Sequence, residues 1–254
     1  MSKNPAKEMP LMGHLGELRR RVTYIAIVVV VCVIAAFFLK DYILDILTRP
    51  LEDGGFTGQL AVLGVTEGFM QILKVSIYAG LIIALPFILY QFWAFILPGL
   101  YENEKKSTIP YVVFTTILFL AGIVFGYFVV LPVGLKFLVG YGGEYFNQLF
   151  QAERYFSFVT MFLLAFGVVF ELPLVMMLMA WAGLVDHVKM RKVRKYAILV
   201  EAAIAMVFTP SQDPVSMALM LIPLIVLYEF GIWLARFVSK RKAKRDALAV
   251  LGEG

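Results

Sequence analysis

The sequence is poor in residues that build metal sites and cross-links. Its 254 residues include one cysteine, Cys32, and two histidines, His14 and His187. A single cysteine excludes a disulfide bond within the chain. The histidines are far apart in sequence and Cys32 lies in an apolar run, so a Cys/His metal site has too few ligands.

Motifs of catalysis and nucleotide binding are also missing. The sequence has no Gly-rich loop ending in lysine, the pattern that cradles nucleotide phosphates. Its long apolar runs contain no Ser/His pair, His-rich motif or paired aspartates, which hydrolysis inside a membrane needs. We therefore predict that the chain is not an enzyme and binds no cofactor or metal.

Charge is scarce as well. Charged residues make up 16% of the chain and hydrophobic residues 61%, and the mean hydropathy is +0.84. In a soluble globular domain about a quarter of the residues are charged, so this composition predicts an integral membrane protein. The net charge of +5 does not point to nucleic acid, because membrane proteins concentrate Lys and Arg in cytoplasmic loops.

Six apolar segments are candidates for membrane-spanning helices. A helix of about 20 apolar residues crosses the hydrocarbon core of a bilayer, and lipid offers backbone groups no other partners. No small-residue cleavage site follows the first run, so we interpret it as a span rather than a signal peptide. The predicted fold is one all-α membrane domain, with an amphipathic surface helix over 1–21, spans at about 22–39, 68–97, 107–135, 155–185, 196–209 and 215–235, and a basic tail over 236–254.

The distribution of Lys and Arg predicts the orientation. Of the 23 Lys and Arg, 18 lie in 1–21, 98–108, 183–195 and 236–254, whereas the loops on the other side hold 4. The positive-inside rule then places both termini in the cytoplasm. We predict a multi-pass protein of the cytoplasmic (inner) membrane.

The fifth segment, 196–209, is short for a bilayer, at about 21 Å of helix. Either the bilayer thins there or a water-filled recess flanks the protein, and long helices beside short ones then form a concave bundle. Alternatively, the helix continues through the polar residues 191–195 and leaves the membrane early.

Three carboxylates interrupt the apolar segments. Glu171, in FGVVFELP, lies near the middle of its segment. A carboxylate there faces a partner helix or water, or is protonated, so Glu171 is either a docking or proton-sensitive site or a hydrogen-bonding residue of the fold. Glu201 and Glu229 lie nearer the cytoplasmic ends, and we expect them to snorkel or to pair with nearby Lys and Arg.

Two further carboxylates lie in cytoplasmic segments. In LPGLYENEKK, Glu102 has Lys106 four residues later as a helical partner. Glu104 has the uncharged Thr108 four residues later. Glu104 is therefore either a solvated loop charge or free to bind an outside cation. Glu17 either pairs with Arg21 at the same spacing or presents its carboxylate toward the 98–108 loop.

Several segments, taken in order, resemble the TatC family, the multi-span core of the twin-arginine protein translocase. They are HLGELRRR (14–21), RPL (49–51), LPFILYQFWAFILPGLYENEKK (85–106), FGYFVVLP (125–132), FGVVFELP (166–173) and FTP followed by Asp213. No single motif is specific, but their ordered combination over nearly the whole chain is. The resemblance implies a receptor for signal peptides with two adjacent arginines, which assembles with the single-span proteins TatA and TatB, forms homo-oligomers with them and uses the proton gradient to move folded proteins.

The resemblance also assigns roles to individual residues. It implies that Glu104 and Glu17 bind the arginine pair of the signal and that Glu171 is the buried carboxylate presented to TatA and TatB. The remaining implied positions are Arg19, Phe95 and Tyr101 for signal recognition, and Pro50, Pro86 and Asp213 for extracytoplasmic or structural roles. Asp213 is the weakest match, because Ser211 and Gln212 separate it from Pro210.

Two other functions are considered beside this one. A secondary transporter also uses carboxylates within the membrane, but it usually shows internal repeats, and we find none between 1–127 and 128–254. A purely structural scaffold would tolerate Glu104→Gln without loss of signal binding.

Overall fold

The chain is all-helical, as predicted. A computed structural model describes residues 11–100, 108–142, 148–181, 183–208 and 214–252. These residues contain no β-strand and one isolated bridge, between Ala61 and Gln151. Their helices are α1 Leu11–Phe38, α2 Lys40–Asp53, α3 Glu67–Leu100, α4 Thr108–Phe125, a π-helical segment Gly126–Val130, α5 Leu131–Gly142, α6 Ala152–Phe170, α7 Leu172–Trp181, α8 His187–Lys192, α9 Arg194–Phe208 and α10 Pro214–Gly252.

Within the described residues, five stretches are long and apolar enough to cross a membrane. They are Leu15–Phe38, Glu67–Phe95, Ile109–Tyr141, Ala152–Trp181 and Met217–Ser239, and each corresponds to one predicted segment. The remaining segment, 196–209, corresponds to α9, whose 15 residues give about 22 Å of helix. The sixth span, the single domain, the concave form and the cytoplasmic termini stay predictions.

Helix α2 lies between the first two predicted spans, in residues that the sequence analysis treated as a loop. It was missed because its residues are not a continuous apolar run: Asp45 and Arg49 form an exposed ion pair of 2.6 Å on it. Its other face buries Leu47, Pro50 and Leu51. The helix is therefore amphipathic and packs by one face.

The described residues form two compact units. The first comprises those of 1–43 and 72–116 and contains α1 and most of α3. Small buried residues, Ser76, Gly80 and Ala84, follow one another at four-residue spacing on α3. A Cβ atom at Gly80 would lie 2.6 Å from the Cα of Val33 on α1. The glycine thus allows the two helix backbones to touch, as small residues do in membrane helix pairs.

The second unit comprises the described residues of 44–71 and 117–254. Its core is formed by α6, α7 and α10, with Phe166, Leu174 and Met220 fully buried. Glycines again mark the closest approaches, since a Cβ atom at Gly231 on α10 would lie 2.5 Å from the Met176 sulfur on α7. The same Cβ atom would lie 3.2 Å from the Pro173 Cα, so α10 packs against the α6–α7 junction, where Glu171 lies.

Candidate functional site

Glu17, a predicted signal-binding residue, forms an ion pair on its own helix. The Arg21 Nη2 and Nε atoms donate to Glu17 Oε1 over 2.5 and 3.0 Å. The two residues are four apart on α1, so one helical turn brings their side chains together. The glutamate side chain is 27% exposed and the arginine side chain 18%. Of the two alternatives for Glu17, the pairing with Arg21 is therefore present.

Arg21 also connects α1 to α3. Its Nη1 donates to the side-chain oxygen of Gln91 over 2.9 Å, and its Nη2 donates to the Ala94 carbonyl oxygen over 3.2 Å. All three guanidinium nitrogens are thus engaged. Through Arg21, the Glu17 carboxylate is held beside α3, six residues before that helix ends at Leu100.

The other predicted signal-binding residues are only partly described. Arg19 is exposed on α1, and its carbonyl accepts a hydrogen bond of 2.9 Å from the Thr23 hydroxyl. Phe95 is half-buried on α3, directly after Ala94. The structure therefore brings Glu17 close to the turn of α3 that carries Phe95, whereas Tyr101 and Glu104 lie outside the described residues. Asp213, predicted for an extracytoplasmic or structural role, lies outside them as well.

Glu171 lies where α6 ends and α7 begins. Pro173 has no backbone N–H to donate to the Val169 carbonyl four residues earlier. Just before it, the Glu171 N–H donates to the Val168 carbonyl, three residues back, over 3.1 Å. The Oε1 atom of Glu171 is buried and has no hydrogen-bond partner among the described residues. A carboxyl group so placed within an apolar segment is costly and is a candidate for interaction with another chain.

Pro50 leaves one backbone acceptor of α2 without its helical donor, and a tyrosine hydroxyl takes that donor's place. It is buried in α2 and cannot donate to the Ile46 carbonyl four residues earlier. The Tyr127 hydroxyl donates to that carbonyl over 2.6 Å, and the Tyr155 hydroxyl donates to the neighbouring Leu47 carbonyl over 2.6 Å. Sequence reasoning missed both tyrosines, although Tyr127 lies within FGYFVVLP.

The other proline, Pro86, is exposed on α3, and the structure gives no account of its predicted role.

The two carboxylates of α9 and α10 behave differently. Glu229 pairs with Arg194 over 2.5 Å, as predicted. The same prediction is wrong for Glu201, which is 4% exposed and whose carboxylate oxygens have no hydrogen-bond partner among the described residues. The reason is its orientation: its side chain points into the protein rather than toward the basic surface. No three His, Cys, Asp or Glu within the described part of the chain lie close enough to hold a metal ion.

Comparison with known proteins identifies the family. A family model described as Sec-independent protein translocase protein (TatC) matches residues 13–223. The protein of that name from Desulforapulum autotrophicum is 42% identical over 243 residues, which cover 95% of this chain and 89% of that protein. The one from Aquifex aeolicus is 38% identical over 239 residues, which cover 92% and 98%.

A solved structure supports the same assignment. The crystal structure of the twin-arginine translocase receptor TatC matches with a TM-score of 0.80 and 36% identity, covering 89% of this chain and 99% of that one. Both sequence and fold therefore agree over most of the chain. This chain belongs to the TatC family of Sec-independent protein translocase proteins.

Proposed function

We propose that this chain is the receptor core of a twin-arginine translocase in the cytoplasmic membrane, with both termini in the cytoplasm. It binds the arginine pair of a signal peptide through Glu17 and Glu104, with Arg19, Phe95 and Tyr101 in the same recognition region. It then assembles with TatA and TatB at Glu171. The proton gradient drives the transport of the folded cargo.

The position of Glu17 carries this proposal. Arg21 ties the Glu17 carboxylate to Gln91 and to the Ala94 carbonyl, near the end of α3 at Leu100. Glu104 follows that helix end by four residues, a reach of at most about 14 Å of extended chain. This chain length allows Glu104 to approach the Glu17 carboxylate, and we propose that the two bind one ligand together.

The chemistry of arginine explains why two carboxylates suit this ligand. A guanidinium group is planar and donates two parallel hydrogen bonds to a carboxylate, whereas the lysine ammonium is a point charge. The surrounding cytoplasmic segments are rich in Lys and Arg and repel cations elsewhere. Together these features favour an arginine pair at this one place over a lysine pair.

Glu171 supports the second half of the proposal. Its Oε1 atom is buried without a described partner, at a break between two helices of an apolar stretch. A polar group from a single-span helix would supply the missing hydrogen bond, and membrane helices associate partly through such bonds. TatA and TatB are the partners that we propose for this position.

Signal binding is tested by photo-crosslinking in membranes. Signal peptides with Arg-Arg or Lys-Lys are compared on the unmodified chain, on Glu104→Gln and on Glu102→Gln, which removes a neighbouring charge of the same loop and serves as the control. We expect a preference for Arg-Arg that Glu104→Gln abolishes and Glu102→Gln retains. Equal crosslinking of both peptides to all three proteins would refute the receptor role.

Docking at Glu171 is tested by crosslinking to TatA and TatB. Glu171→Ala should weaken the crosslinks and lower export, whereas Glu171→Gln, which keeps a hydrogen-bonding side chain, should retain part of both. If Glu171→Ala leaves partner crosslinking and export intact, the docking role is wrong.

A further inference from the structure

We infer that Arg21 is a positioning residue that sets the selectivity of the receptor for arginine over lysine. It does so by holding the Glu17 carboxylate in one orientation and by fixing it to α3. This inference rests on the proposed function, because it concerns how Glu17 binds the signal. Arg21 itself need not contact the signal peptide.

The geometry assigns this role to Arg21 rather than to its neighbours. Four hydrogen bonds leave its guanidinium: two to Glu17 Oε1, one to Gln91 Oε1 and one to the Ala94 carbonyl. Two of them stay on α1, four residues from Arg21. The other two reach α3, at residues 70 and 73 positions away in sequence. Arg20, the preceding residue, is exposed and has no described hydrogen bond of this kind.

Only an arginine can make this set of contacts. Its rigid fork has three nitrogens that point in different directions, whereas lysine offers one nitrogen at the end of a flexible chain. Lysine at position 21 would preserve the charge beside Glu17 but could not engage Glu17, Gln91 and Ala94 at once. The substitution therefore separates the charge of Arg21 from its ability to hold two helices together.

If the Glu17 carboxylate loses its fixed orientation, binding of Arg-Arg and Lys-Lys signal peptides should change by different amounts. A carboxylate held in one orientation favours a planar guanidinium that meets it with two aligned donors. A carboxylate that reorients freely still attracts any cation, because the Coulomb attraction depends on distance and not on planarity. Binding of a lysine pair should therefore change little, while binding of an arginine pair should weaken.

Gln91 provides a second, milder way to test the same contacts. Its side-chain oxygen accepts from Arg21 Nη1 over 2.9 Å, and the residue is 9% exposed. Gln91→Leu removes this acceptor but leaves the ion pair between Arg21 and Glu17, which lies entirely on α1. If the connection to α3 matters, this variant should shift selectivity in the same direction as Arg21→Lys.

The experiment measures crosslinking of Arg-Arg and Lys-Lys signal peptides to Arg21→Lys, Gln91→Leu and the control Arg20→Lys. Thermal unfolding of each purified variant is measured in parallel. For Arg21→Lys we expect the preference for Arg-Arg to fall by about tenfold, the size of one lost hydrogen bond to a charged group, with Lys-Lys crosslinking unchanged. Gln91→Leu should lower the preference by a smaller factor, and Arg20→Lys should keep it.

Two results would overturn the inference. One is that both Arg21→Lys and Gln91→Leu keep the full preference for Arg-Arg. The other is that crosslinking of the Arg-Arg and Lys-Lys peptides falls equally, which indicates a structural role alone. If Arg21→Lys does not fold, Gln91→Leu decides. Failure of the proposed function looks different, because the unmodified chain would then show no preference for Arg-Arg at all.

Discussion

Replacing Tyr155 with phenylalanine removes a single hydroxyl, which donates to the Leu47 carbonyl oxygen over 2.6 Å. Tyr155 is 6% exposed and Leu47 is 7% exposed, so water cannot take the place of the donor. The Leu47 carbonyl still has the Leu51 N–H four residues later in α2, so the change removes the net value of one hydrogen bond. We therefore expect Tyr155→Phe to lower the free energy of unfolding by about 1 kcal/mol, measured by urea titration in detergent micelles.

A second prediction concerns Tyr127 and Pro50, the proline that makes its hydrogen bond necessary. Its hydroxyl donates to the Ile46 carbonyl, and Pro50 has no N–H that could donate there. Tyr127→Phe should cost about 1 kcal/mol, the net value of one hydrogen bond. In the Pro50→Ala background the cost should fall toward zero, because a backbone N–H at position 50 can then donate to Ile46.

The double-mutant cycle of Pro50 and Tyr127 measures this coupling directly. A coupling of about 1 kcal/mol is expected from the single lost hydrogen bond. The reasoning is refuted if Tyr127→Phe costs the same with and without Pro50, or if Tyr155→Phe leaves stability unchanged. The first result would mean that Tyr127 does not compensate for the proline, and the second that the Tyr155 hydrogen bond does not stabilise the fold.

Three smaller predictions use the same unfolding measurement. Gly80→Ala should cost about 1–3 kcal/mol, because its Cβ would lie 2.6 Å from the Val33 Cα, whereas Gly134→Ala, with nothing within 4 Å, should not destabilise. Glu201→Met should leave stability unchanged or raise it, since it replaces a buried carboxyl without a described partner; a clear loss of stability would contradict that assignment. Glu229→Gln should cost less than about 1 kcal/mol, because its pair with Arg194 is nearly half-exposed.

The sequence predicted the long helices well, because apolar runs of spanning length have few other stable structures in lipid. The predicted segment 68–97 corresponds to α3, Glu67–Leu100, and 155–185 corresponds to α6 and α7 together. The break at Glu171 was not predicted, although Pro173 follows it in the sequence. The amphipathic helix α2 was not predicted, because its residues do not form a continuous apolar run.

The candidate site was predictable where it depends on neighbours in sequence. The pair of Glu17 and Arg21 follows from four-residue spacing alone. The bonds from Arg21 to Gln91, and from Tyr127 to Ile46, join residues 70 and 81 positions apart and depend on how the helices pack. The interpretation of Glu201 failed for the same reason, since composition does not reveal which side of a helix faces the core.

The central claim is that this chain distinguishes an arginine pair from a lysine pair. The most direct measurement is the dissociation constant of the purified chain, in lipid nanodiscs, for signal peptides that differ only in Arg-Arg or Lys-Lys. We expect the Arg-Arg peptide to bind at least about tenfold more tightly, because aligned hydrogen bonds to a carboxylate are lost with lysine. Equal dissociation constants for the two peptides would contradict the claim.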